Sequence, residues 1–210
     1  MHQKARRLER QGLYDPHFEH DACGVGFVAN IDGVKSHAIV QKGLTVLENL
    51  THRGACGCDP LTGDGAGLII QVPDAFLRKV CGASDVDLPP AGEYGVGMVF
   101  LPTDAADRRA CEGLFEQVVR EEGQAVLGWR DVPTDPSPLG KTARAGMPAI
   151  RQVFVRRQDL QAPYDAADGL GFERKLYVVR RRAEEAVRAS GLRQKGMFYI
   201  ASLSFKTLLY

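Results

Sequence analysis

A cysteine that cleavage could turn into the first residue of its chain is the strongest chemical candidate in these 210 residues. Cys23 stands in Ala22-Cys23-Gly24-Val25-Gly26-Phe27, behind a short polar segment and at the head of an alternating apolar run. If the Ala22–Cys23 bond is cut, one residue carries a thiol nucleophile and an α-amine whose ordinary pKa of about 7.7–8.0 suits a general base near neutral pH. Gly24 and Gly26 leave the backbone beside that sulfur uncrowded, which suits close approach by a substrate or a neighbouring strand. A small packed thiol beside tight glycines presents the same local pattern. The elements around it must decide.

Val25, Phe27, Ala29 and Ile31 alternate with Gly24, Gly26, Val28 and Asn30 up to the Asp32-Gly33 turn, which predicts a strand. Ser36 is placed to cap a helix whose residues Ile39, Val40, Leu44, Leu47 and Leu50 recur at helical spacing up to Arg53-Gly54, predicting a buried face. A glycine-rich loop over 54–67 leads to Leu68–Val72, read as a core strand, and Pro73-Asp74 opens a short helix to about Val80. Further strands are predicted at 94–101, 125–130, 151–156 and 198–204, the last of these closing the chain. Helices are predicted at 105–122 and around Leu176, Val179, Ala183 and Val187, with Arg180-Arg181-Arg182 on a solvated side. Strands and helices interleave without a long parallel βαβ rhythm, so the expected class is α+β, a sheet layer covered by helices.

Composition narrows the function classes. A net charge of +1, 25% charged and 44% hydrophobic residues argue against a nucleic-acid-coating surface or a disordered tail. No apolar run reaches the roughly 18–20 residues that cross a bilayer, so no membrane partner is expected. Five cysteines are an odd set, too sparse for a secreted disulfide scaffold, and point to a reducing, cytoplasmic setting. Residues 1–22 mix Lys4, Arg6, Arg7 and Arg10 with Glu9, Asp15, Glu19 and Asp21 and lack an apolar stretch, which reads as a propeptide rather than an address. Gly63-Asp64-Gly65-Ala66-Gly67 lacks the lysine and hydroxyl residue of a phosphate loop and reads as a tight turn. His52, Cys56 and Cys58 lack a second ligand pair at usable spacing, so no metal site is expected.

The series His20–Phe27, Leu47–Ala55, Gly63–Gly67, Leu127–Pro133, Phe172–Tyr177 and Phe198–Ser204 resembles, in consistent order over nearly the whole chain, the start of the glutamate synthase large subunits, a class II glutamine amidotransferase domain. The resemblance implies an N-terminal-nucleophile hydrolase fold, an αββα sandwich, with residues 1–22 removed and 23–210 forming the amidotransferase portion. It implies glutamine as substrate and Cys23 as catalytic nucleophile. Arg53 matches the arginine that in this family lies next to the terminal cysteine, on the substrate-binding side of the site, where fixed positive charge favours thiolate. Without the resemblance, Arg53 reads as a charge meeting the end of a helix dipole. The ammonia would serve reductive amination in a synthase domain elsewhere in the full protein, with a small subunit as a further partner. No cofactor is implied in this segment, whereas FMN and an iron–sulfur cluster are implied for the remainder.

The sequence also departs from that family. Asn30 precedes Ile31 and Asn49 precedes Leu50, so the Asn-Gly pair that supplies the family's oxyanion donors is missing, as is the later arginine that holds the substrate α-carboxylate. The expectation is therefore an apparently truncated domain, inactive and poorly folded in isolation. Two alternatives stand beside the glutaminase: another N-terminal-nucleophile amidohydrolase, and a non-catalytic assembly module that retains its first 22 residues.

Overall fold

The computed structural model describes residues 24–54, 63, 65–82, 86–158 and 170–210. The chain divides into two compact units, Met1–Ala66 with Leu139–Thr142, and Gly67–Pro138 with Ala143–Tyr210.

In the first unit the described elements are helix α1 (His37–Asn49) and a 3-10 turn at Thr51–Arg53. The expected strand over 24–31 is absent as a ladder: residues 24–30 are irregular, and no described strand pairs with them. Sequence alternation marks which side chains share a face, but a strand also needs a partner for its backbone groups. Val25 and Phe27 of this run are not buried either. Gly24 and Gly26 pack on α1 while Val25 and Phe27 are 93% and 92% exposed. Nor is α1 a buried helix, since none of its residues is fully buried.

The second unit is built on a four-stranded antiparallel sheet. Its strands are β2 (Tyr94–Leu101), β3 (Ala125–Asp131), β4 (Ala149–Arg156) and β5 (Tyr199–Ser204), in the order β3-β4-β2-β5. Register pairs Met98 with both Gln152 and Ser202, and bulges interrupt the β2–β5 and β3–β4 ladders. Period-2 alternation sorts the side chains onto two faces. On one face Val99, Leu101, Val153 and Val155 meet helices α3 (Ala105–Glu121) and α5 (Gly171–Ala189), which contribute Cys111, Phe115, Val119, Leu176, Val179 and Ala183. Each such fully buried large side chain is worth roughly 1.5–3 kcal/mol of transfer free energy. Gly95 permits this contact, because a Cβ there would lie 2.5 Å from Leu176 Cδ1.

Polar contacts fix α3 in register with the sheet. Glu112 Oε1 lies 2.6 Å from Arg151 Nη1, and Trp129 Nε1 donates to Glu116 Oε1 at 2.9 Å. The Phe115 and Trp129 rings meet edge to face at 5.4 Å. Arg181 and Arg182 are exposed, as expected of a solvated side, and the arginine run also carries ion pairs. Arg182 reaches Glu121 and Glu122, and Arg180 and Arg181 both reach Glu184, so part of the charge run clamps α5 to α3.

The other sheet face, with Tyr94, Val96, Met98 and Phe154, is covered by Leu77 and Cys81 of α2 (Asp74–Cys81), by Val86 and Leu88, and by Leu208. Leu208 belongs to β6 (Thr207–Leu209), an element absent from the sequence reading, which pairs antiparallel with β1 (Ile69–Gln71). The chain turns into β6 because Ser204 Oγ accepts from the backbone of Lys206 and Thr207 at 2.9 and 3.1 Å. β1 is therefore half of a small two-stranded sheet with Ile69 exposed, not the core strand expected. Tyr94 Oη donates to Asp74 Oδ1 at 2.9 Å, tying α2 to the start of β2. A short helix α4 (Lys141–Gly146) lies within the proline-rich connection before β4. Among the described residues no helix is long and apolar enough to cross a membrane. The architecture is mixed helix and antiparallel sheet, as expected for α+β.

Candidate functional site

Cys23 lies outside the described residues; Gly24, joined to it by one peptide bond, is the first residue placed. Both glycines of the motif are packing positions. A Cβ on Gly24 would lie 2.9 Å from Leu50 Cδ2 and 3.2 Å from Leu50 Cβ, and one on Gly26 would lie 2.5 Å from Val46 Cγ1. Real Cβ atoms do not approach so closely, so only glycine lets this backbone rest on the C-terminal turns of α1. The chain reverses between the two at a turn. Gly33 N donates to Asn30 O at 3.1 Å, Asn30 Oδ1 accepts from Val34 N at 3.1 Å, and Gly33 takes φ +69°. Ser36 occupies the N-cap position, but its hydroxyl makes no capping bond, contrary to expectation.

The helix ends earlier than its sequence pattern suggests, at Asn49, and passes directly into the Thr51–Arg53 turn. Carbonyls at a helix C-terminus lack intrahelical partners, and here side chains supply them. Thr51 Oγ1 donates to Glu48 O at 2.7 Å, and His52 Nδ1 lies 2.9 Å from Asn49 O, a contact that places the ring proton on Nδ1. Gly54 N closes the turn on Thr51 O at 3.1 Å. Arg53 is the last residue of this turn, and its side chain lies outside the described residues. The described backbone thus brings Gly24 against Leu50, three residues before Arg53.

The described cysteines offer no competing nucleophile. Cys81 and Cys111 are wholly buried free thiols. Burial pushes the Cys81 thiol up against a smaller opposing effect of Arg130, and it pushes Cys111 to about 11 with help from Asp107 and Glu112. Neither is thiolate near neutral pH. They sit in separate cores, on opposite faces of the sheet, and so present no paired thiolates for a metal cluster. Cys56 and Cys58 fall outside the described residues.

The sequence reading placed Leu50 in the helical apolar pattern and gave Val46 no role, so their contacts with the two glycines were not anticipated. The available signal was the pairing of two glycines at i and i+2 with two aliphatic residues at i and i+4 of the following helix.

The model of the family described as "Glutamine amidotransferases class-II" matches residues 23–210, beginning at Cys23. The "Glutamate synthase [NADPH] large chain" of Bacillus subtilis is 48% identical over 200 residues, 95% of this chain and 12% of that protein. The "Glutamate synthase [NADH]" of Schizosaccharomyces pombe is 41% identical over 203 residues, 95% of this chain and 9% of its own. The "Ferredoxin-dependent glutamate synthase 1, chloroplastic/mitochondrial" of Arabidopsis thaliana is 39% identical over 208 residues, 98% of this chain and 12% of its own. The chain thus spans about a tenth of the length of these relatives. With a family match running over nearly all of its length, this chain belongs to the class II glutamine amidotransferases.

Proposed function

We propose that this chain is the glutaminase portion of a glutamate synthase, and that it releases ammonia from glutamine at Cys23 once residues 1–22 are removed. The observation that carries the reading is the family match starting at Cys23 and continuing to Tyr210. The glycine contacts that seat the residues after Cys23 on the helix leading to Arg53 support it.

The chemistry follows from the requirements of amide cleavage. Cys23 Sγ attacks the side-chain carbonyl carbon of glutamine while its proton passes to the Cys23 α-amine, directly or through water. The protonated amine then gives that proton to the departing nitrogen, so that ammonia leaves and a thioester remains. Water cleaves the thioester, yielding glutamate and regenerating the thiol. Arg53 serves the substrate side of the site and favours the thiolate. An uncut Ala22–Cys23 bond would hold the base nitrogen in an amide and abolish its basicity.

The 210 residues contain no Asn-Gly dipeptide. Loss of one oxyanion donor costs roughly 10²–10³ in rate, so the donors of this reading come from elsewhere in the intact protein, and the 210-residue chain alone is expected to be inactive. The ammonia is used in reductive amination by a synthase domain of that protein, in agreement with the names of the relatives. FMN and an iron–sulfur cluster belong to that domain, and a small subunit is a further partner. The proposed location is cytoplasmic.

N-terminal sequencing of the intact protein tests the reading together with an assay of ammonia release. A mature chain beginning Cys-Gly-Val-Gly, and turnover lost in Cys23→Ala, are the expected results. An unprocessed Met1 in fully active protein would refute it.

A further inference from the structure

We infer that Val46 and Leu50 are positioning residues for the nucleophile: their side chains seat on the backbone of Gly26 and Gly24 and set where the residue before Gly24 stands. The inference rests on the glutaminase reading above. Its geometric basis is a match of two periods. Extended chain advances roughly 6.6 Å over two residues, and an α-helix advances about 6 Å over four. Two glycines at i and i+2 can therefore meet two side chains at i and i+4 of a helix without either element bending. The contacts run antiparallel, Gly26 on Val46 and Gly24 on Leu50. The chain is thus carried toward the end of α1, where the Thr51–Arg53 turn follows at once. Cys23 is one peptide farther on, about 3.8 Å from Gly24 between Cα atoms.

The seat is stiff on both sides. Val46 is β-branched and has little χ1 freedom in a helix, so a methyl on Gly26 cannot be accommodated by swinging Cγ1 away, and the 24–30 segment or the helix must move by about an ångström. At Gly24 the obstruction includes Leu50 Cβ, which moves only with the helix backbone. The turn beyond is also held, by the Thr51 and His52 contacts to Glu48 and Asn49. The terminal sulfur and amine act together on one carbonyl, and a displacement of about 1 Å can cost on the order of 100-fold in rate. The mechanism names only Cys23 and Arg53; the seat adds residues whose described contacts are with the glycine backbone.

The test uses the intact protein carrying Gly26→Ala, Val46→Ala, the two together, and Cys23→Ala, assayed for ammonia release with thermal melting as the control for folding. Gly26→Ala is expected to lower kcat about 10- to 100-fold with KM within about threefold, and adding Val46→Ala is expected to recover most of the loss, because the truncated side chain makes room for the new methyl. A merely structural clash would lower the melting temperature without splitting kcat from KM. Leu50→Ala is a second route should Gly26→Ala fold poorly: it removes the seat without adding volume and is expected to lower kcat in folded protein. Wild-type kcat in both Gly26→Ala and Leu50→Ala, with Cys23→Ala inactive, overturns the inference and leaves the glutaminase reading standing. Activity surviving in Cys23→Ala overturns that reading itself.

Discussion

Arg130 Nη1 donates to Gln152 Oε1 at 2.8 Å across neighbouring strands, and Gln152 is wholly buried in the middle of the sheet. A buried amide oxygen that loses its donor bears its full desolvation cost. Replacing both partners by apolar groups of similar shape can be nearly neutral. Arg130→Met is therefore expected to destabilise by about 1–3 kcal/mol, whereas Arg130→Met combined with Gln152→Leu costs less than the sum of the two single changes. Urea unfolding of the four members of this cycle is the measurement, and strict additivity would contradict the pairing.

Gly113 lies inside α3, exposed, with open space around the position of an added Cβ. Glycine in a helix interior is about 1 kcal/mol less favourable than alanine. Gly113→Ala is expected to raise the melting temperature by roughly 2–4 °C, and an unchanged or lower value would contradict that account.

Acid should unlock the clamp between α3 and α5. Hydrogen bonds from Lys175 Nζ at 2.8 Å and Arg182 Nη1 at 2.6 Å hold the Glu122 carboxyl below its usual range. Its folded pKa lies below the unfolded value of about 4.3, so the contribution is complete above that value and is lost as pH falls through the folded one. Glu122→Gln is expected to lower stability near pH 7, on the order of 1 kcal/mol, and to converge with the parent protein at pH 2–3. Denaturant midpoints across that range check the sign, and a constant gap would contradict it.

The buried thiols of Cys81 and Cys111 provide an internal contrast to the proposed nucleophile. With both pKa values pushed up by burial, neither is expected to react with iodoacetamide at pH 7.5 until denaturant is added. Peptide mapping by mass spectrometry reads this directly, and modification of either in native protein would show that its core opens.

The sheet of the second unit was readable because Tyr94, Val96, Met98 and Phe100 alternate strictly and the helices over it repeat at helical spacing. β6 was not readable: three residues carry too little pattern, and its turn depends on a hydroxyl bond by Ser204. Residues 24–31 were misread for the opposite reason, since the alternation is present but the ladder is not. The motif around Cys23 offered a candidate nucleophile and Arg53 drew its expected role only from the family resemblance, while the contacts of Val46 and Leu50 with the two glycines needed distances between residues twenty or more positions apart.

The bare stripe of Val25, Phe27 and Ile31, the last fully exposed, has a kinetic consequence. A nascent chain that presents three large hydrocarbons on backbone that no described strand pairs is subject to two competing processes, one unimolecular and one growing with the square of concentration. Slow synthesis and dilution should therefore raise the yield of well-formed molecules, and a charge engineered at Phe27 should make the yield less sensitive to how fast the polypeptide is produced.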